Sequence, residues 1–227
     1  QRQTCIRDSI RGGGFDQTLL LIDGMKMDDI QTGHHTLNLL LPVQLIERIE
    51  IIKGPAARIF GQNAFSGAIN IVTKPLKKSS NKVVEIYAND ISYGSYDQFN
   101  YSIKMRTSIE DKFNSLISFH KAKSDGYRYN TDFKNDFIFM KNNIKSKNGF
   151  IDIISGFSEK KFGANGFYAS PAAIDQYEET QSSFFGVSTK FKKEKLVVKP
   201  KLYWRRNQDE YIYIRDNPEI YRNLHIS

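Results

Sequence analysis

The stretch that decides the reading is Gly54-Pro55-Ala56-Ala57-Arg58-Ile59-Phe60-Gly61-Gln62-Asn63-Ala64-Phe65-Ser66-Gly67-Ala68-Ile69-Asn70-Ile71-Val72-Thr73-Lys74. Gly54, Gly61, Gly67 and Pro55 make its first part turn-rich and closely packed, because Gly permits positive φ and close backbone approach and Pro fixes φ. It then runs into a short apolar strand, Ala68 to Val72. Immediately before it, Glu47 to Lys53 alternates Arg48 and Glu50 with Ile49 and Ile51. That is the period of a strand with one buried face and one polar face. Earlier still, Thr18-Leu19-Leu20-Leu21-Ile22 reads as a buried strand closing on an Asp23-Gly24 turn.

These pieces carry a resemblance. "LLLIDG", "IERIEIIKGP" and "GQNAFSGAINIVTK", in this order and spacing across residues 18–74, with "SIRGG" at Ser9 to Gly13 upstream, resemble the plug domain of TonB-dependent outer-membrane receptors. Within that family, "DDIQTGHHTLNL" at Asp28 to Leu39 together with "GPAARIFG" at Gly54 to Gly61 resembles most the vitamin B12 receptor type. The resemblance implies an α+β plug inside a transmembrane β-barrel, in the outer membrane of a Gram-negative bacterium, serving active uptake. It also implies that Arg11, Arg48 and Lys53 anchor the plug to the barrel wall. The family usually has Arg where Lys53 stands, and Lys lacks the bidentate fork of a guanidinium.

Composition narrows the alternatives without the resemblance. Of 227 residues 40% are hydrophobic, and no uninterrupted apolar run reaches the length of a membrane helix. Barrel strands are shorter and only half apolar, so this leaves a membrane barrel open. Sixteen Phe and 12 Tyr against one Trp suit barrel strands and their interfacial girdles. The net charge of +8 is scattered and accompanies no nucleic-acid-binding motif, so no nucleic-acid partner is expected. Cys5 is alone, which excludes a disulfide framework within the chain. Gly12-Gly13-Gly14 precedes a strand and no Gly-Lys-Ser/Thr follows, so it reads as a turn rather than a phosphate loop.

In chain order, Met25-Lys26-Met27 reads as a short strand and Asp28 to Asn38 as a polar loop. The resemblance places this loop toward the ligand, and Gln31, His34, His35 and Asn38 carry suitable donors and acceptors. Consecutive His34 and His35 side chains diverge and lack a third ligand at metal spacing, so no metal site is expected. Leu39 to Ile46 suggests a short helix with Pro42 in its first turn. A basic, Pro-containing stretch, residues 75–81, reads as the linker between the plug part, 1–74, and barrel strands, 82–227.

Beyond the linker the pattern changes to long alternating strands. Phe99, Tyr101, Ile103 and Met105 alternate with Asn100, Ser102, Lys104 and Arg106. Phe185, Val187 and Phe191 alternate with Phe184, Gly186, Ser188 and Lys190. The first set is expected to face lipid and the second the lumen. Short connections near residues 108–112, 146–149 and 192–195 alternate with longer ones at 123–131 and 162–176. About seven strands are expected between Lys82 and Ile214, against about 22 in a closed plugged barrel. The chain is therefore read as a fragment of a longer receptor. The loop Phe162 to Pro171 is the most aromatic, and Phe167 and Tyr168 are its candidates for stacking on a bulky ligand.

The function expected is TonB-dependent uptake of a scarce solute, cobalamin or a related corrinoid. A ferric siderophore receptor and a truncated remnant are the alternatives. The implied partners are the TonB energy-transducing complex, a small-molecule ligand and outer-membrane lipid. No cofactor is expected, and no catalytic motif (Gly-x-Ser-x-Gly, metal triad or P-loop) argues for an enzyme.

Overall fold

The computed structural model describes residues 17–27, 41–55, 57–110, 112–147, 149–166, 172–194 and 196–227. The chain divides into two compact units, with the change at Pro75–Leu76. Among the described residues, no helix is long and apolar enough to cross a membrane, which says nothing of strands that cross as a barrel.

The first unit holds a four-stranded mixed sheet. β1 (Thr18–Ile22) and β2 (Met25–Lys26) form a hairpin, β3 (Ile46–Lys53) is an edge strand, and β4 (Gly67–Thr73) lies between β1 and β3 in the order β2-β1-β4-β3. Asp23 and Gly24 both have positive φ, 49° and 73°. That is the backbone of a type I′ turn, whose twist matches the strands it joins. β1 runs parallel to β4, Leu20 beside Ile69 and Ile22 beside Ile71. Leu19, Leu20, Leu21 and Ile22 are at most 3% exposed. A continuous apolar run is what a strand covered on both faces requires. Each such side chain contributes roughly 1.5–3 kcal/mol by burial.

Two expectations are corrected here. Ile49 and Ile51 are not the buried face of β3: they are 54% and 55% exposed. The opposite parity faces the core, where Ile52 packs with Phe60 against Leu19, Leu21, Ala64 and Ala68. An edge strand has a neighbour on one side only, so alternation alone does not tell which of its faces is covered. The helix expected over Leu39 to Ile46 appears among the described residues only as a three-residue 3-10 turn, Val43–Leu45. Pro42 precedes it, and β3 begins at Ile46, which leaves no room for a full turn. The turn-rich stretch instead holds one turn of helix, α1 (Ala57–Phe60).

The second unit is a single open antiparallel sheet. Its long strands are β5 (Val83–Gly94), β6 (Gln98–Ile109), β7 (Phe113–Ser124), β8 (Phe133–Ser146), β9 (Gly149–Gly163), β10 (Tyr177–Lys193) and β12 (Lys201–Ile212). β11 (Leu196–Val198) extends the β10 hairpin, and β13 (Arg222–Ile226) pairs with β12. Each long strand pairs with its sequence neighbour, apart from the β11 interruption, and β5 and β13 form the two edges. The seven long strands match the expected number. The connections at 110–112 and 147–148 are short, while 125–132, 164–176 and 213–221 are long. The β5–β6 connection is the exception: residues 95–97 make a tight turn at the end where the later loops are long.

The sheet is inside-out. One cross-strand row, Ile86–Met105–Ile117–Met140–Ser155–Phe185–Trp204, lies on the apolar face. On that face Ile103 is 43% exposed, whereas Lys104, beside it on the other face, is 6% exposed. Water would not tolerate so continuous an exposed apolar face. Lipid favours it, and strands alternating apolar-out with polar-in are those of a membrane barrel. The polar face is internally bonded: Arg106 donates to Glu85 at 2.9 Å, Ser108 Oγ to Asn114 Oδ1 at 2.7 Å and Ser182 Oγ to Asn207 Oδ1 at 2.8 Å.

The polar face also carries an apolar patch. Phe139, Ile154 and Phe184 are 0–3% exposed and share the face of Lys104 and Ser118. Gly156 stands between Phe139 and Phe184 in register. A Cβ there would come within 2.3 Å of the Phe184 ring, so glycine makes the room for it.

Candidate functional site

In the first unit a chain of hydrogen bonds ties the β1–β2 turn to β3 and β4. The Asp23 carboxylate accepts from the Thr73 N–H at 2.9 Å and from Thr73 Oγ1 at 2.6 Å, tying the β1–β2 turn to the end of β4. Gly24 N–H donates to Asn70 Oδ1 at 2.9 Å, and Asn70 Nδ2 donates to Glu50 at 2.8 Å. Arg48 completes the chain with Nε to Glu50 at 2.9 Å. The Asn70 and Arg48 hydrogen bonds hold the Glu50 carboxyl below its ordinary pKa. Met27 N–H donates to Leu20 O at 2.9 Å, so the chain leaves this scaffold from a fixed point.

Of the sequence-derived anchors, Arg48 is described and exposed, paired with Glu50 at 2.7 Å and Glu47 at 3.7 Å. Lys53 is exposed at the end of β3. Arg11, Gln31, His34, His35, Asn38, Phe167 and Tyr168 lie outside the described residues.

In the second unit, three loops at one end of the sheet are joined into one block. Arg215 grips Asp132 with two nitrogens, at 2.6 and 2.9 Å, and donates to Asn130 Oδ1 at 3.1 Å. Its guanidinium lies 4.3 Å from the centre of the Tyr177 ring. Asn130 Nδ2 donates in turn to the carbonyls of Ile174 and Gln176, at 2.8 and 2.7 Å. Tyr129 OH donates to Asp175 at 2.7 Å, and the Arg215 N–H donates to the Asp175 carbonyl at 2.9 Å. Loops 125–132, 164–176 and 213–221 therefore share one bonded base.

The guanidinium hydrogen bonds hold the Asp132 carboxyl below the usual carboxylate range against the opposing effect of burial. Tyr127, Tyr129, Tyr213 and Tyr221 stay exposed around this base. Such rings offer apolar faces and polar tips to a bulky organic solute. Sequence reading missed this block. Asn130 and Arg215 are 85 positions apart, and nothing local marks them as partners.

A four-stranded mixed sheet is followed along the chain by an antiparallel sheet whose exposed face is the apolar one, the architecture of a plug and of membrane-barrel strands. The family description "TonB-dependent Receptor Plug Domain" matches residues 6–68. Among characterised relatives, the "Vitamin B12 transporter BtuB" of Vibrio vulnificus (strain YJ016) is 35% identical over 121 residues, covering 53% of this chain and 19% of the relative. The "Iron-regulated outer membrane virulence protein" of Vibrio cholerae is 42% identical over 72 residues, covering 29% of this chain and 11% of the relative. The solved structure titled "Copper transporter OprC" superposes with a TM-score of 0.68 at 13% identity, covering 86% of this chain and 30% of that one. That likeness concerns the fold. The chain thus spans about a fifth or less of the length of these curated relatives.

Proposed function

We propose that the receptor to which this chain belongs takes up a scarce solute across the outer membrane, driven by a TonB-type energy-transducing complex, and that the solute is cobalamin or a related corrinoid. The observation that carries the corrinoid reading is the 35% identity to a vitamin B12 transporter over 121 residues. The iron-regulated relative, more identical over a shorter stretch, supports a ferric siderophore as the second reading. The reading is a transport one, and no covalent chemistry is assigned to the site.

In this reading the plug part ends at residue 74, the linker is 75–81 and the barrel strands follow from 82. The rigid Asp23–Thr73–Asn70–Glu50 support presents the loop whose Gln31, His34, His35 and Asn38 bond the solute. Phe167 and Tyr168 supply stacking surface from the loop that the Asn130–Arg215 base holds. Arg11, Arg48 and Lys53 anchor the plug.

A set of single alanine substitutions at Gln31, His34, His35 and Asn38 in the complete receptor tests this. Losing one desolvated hydrogen bond costs roughly 1–3 kcal/mol, up to about a hundredfold in affinity. Binding of cobalamin and of a ferric siderophore is titrated at equal outer-membrane abundance. Weakened cobalamin binding in at least one variant is expected. Unchanged affinity in all four removes the loop from the site, and weakened binding of siderophore alone replaces the corrinoid.

A further inference from the structure

The lipid-facing side of the sheet is not apolar throughout. Toward the long-loop end its rows become charged. One row reads Tyr101–Lys121–Asp136–Glu159–Gln181, and the next reads Phe99–Lys123–Lys134–Lys161–Glu179. In the second row Lys123, Lys134 and Lys161 are direct cross-strand neighbours on three adjacent strands. Like charges placed opposite one another destabilise a sheet, and their side chains stand only about 5 Å apart at Cβ.

Carboxylates answer them unequally. Lys123 pairs with Asp97, and Lys161 with Glu179 at 2.9 Å and Glu159 at 3.7 Å. The central Lys134 has a longer contact, 3.6 Å to Asp136, a carboxylate that also faces Lys121 at 3.6 Å. Its side chain is 48% exposed.

We propose that Lys123, Lys134 and Lys161 form a docking surface for the phosphorylated headgroup of a membrane amphiphile in the leaflet on the long-loop side. The position selects the partner. Four residues away along the same strands and on the same face lies the apolar row Ile103–Phe119–Ile138–Phe157, in which Ile103, Ile138 and Phe157 are exposed and Phe119 is half-buried. Four residues of strand span about 14 Å. An occupant must therefore cover an apolar face with one part and place negative charge about 14 Å away with another. A phosphate lying over the three ammonium groups relieves their mutual repulsion, and basic residues at a membrane surface favour anionic headgroups. This surface is independent of the solute that the receptor carries.

The test uses the complete receptor in detergent, with a diphosphorylated lipid A as probe and the same glycolipid stripped of its phosphates as comparison. Bound glycolipid is counted by native mass spectrometry across a concentration series. Cobalamin binding is read in the same samples, so that failure here is separable from failure of the transport reading. The expected result is preferential binding of the phosphorylated form, weakened at least tenfold in the triple variant Lys123→Gln, Lys134→Gln, Lys161→Gln. Lys134→Gln alone should weaken it about threefold. Lys112→Gln, in a short turn at the opposite end, should leave it unchanged. If the triple variant does not insert, Lys134→Gln decides. Equal binding of both glycolipids by the parent, or undiminished binding by the lysine variants, overturns the proposal.

Discussion

Replacing Ile117 by Arg tests whether the exposed apolar face meets hydrocarbon. Ile117 lies in the middle row of that face, between Met105 on β6 and Met140 on β8. Ile86, Phe185 and Trp204 in the same row are 69%, 42% and 55% exposed. Charged side chains on this face of β7 begin at Lys121, four residues on, or about 14 Å along the strand. An Arg at position 117 therefore has no counterion within easy reach, and its guanidinium must stay in the apolar layer or distort it. At a bilayer midplane this costs about 2–4 kcal/mol, roughly a thirtyfold to several-hundredfold loss in the folding equilibrium. Lys121→Arg, which keeps charge where charge already stands, should change stability by less than about 0.5 kcal/mol. The assay is a urea titration of the complete receptor folding into bilayers, followed by electrophoretic mobility. Ile117→Arg within 0.5 kcal/mol of the parent would refute the assignment of this face to lipid.

Two further outcomes are expected. Gly156→Ala forces a Cβ to within 2.3 Å of the Phe184 ring and should destabilise the sheet by about 1–3 kcal/mol in the same titration, with no loss if the ring is free to move aside. Asp132 is held below its ordinary pKa by Arg215, so its contribution is complete above the unfolded value of 3.8 and is lost as pH falls through the lower folded value. Amide exchange at Gly163 and Arg215, corrected for intrinsic rates, should stay slow at pH 5 and accelerate only below about 3.8 in the parent. In Asp132→Asn it should be fast throughout, and an unchanged profile would mean that the ion pair does not hold the loops.

The first unit was legible because its evidence is local. A solid apolar run, an Asp-Gly turn and a Gly-rich stretch before a strand each specify their own backbone. The facing of β6 was legible for the same reason, since Ile103 and Lys104 belong to an unbroken alternation. What the sequence hid depends on neighbours. Ile49 and Ile51 alternate as a buried face would, yet on an edge strand it is Ile52 that meets the core. Phe184 belongs by parity to the polar set, and only its register with Gly156 and Phe139 shows how an aromatic ring fits there. The lysine row spans three strands, and the Asn130–Arg215 base spans three loops. Neither leaves a mark in any window of sequence.

Energy-dependent accumulation of labelled cobalamin tests the central claim most directly, in cells that express the complete receptor and either possess or lack the TonB complex. The account predicts uptake above receptor-free cells only when both are present. Receptor correctly inserted in the outer membrane with no cobalamin accumulation beyond that of receptor-free cells, TonB present, would contradict it.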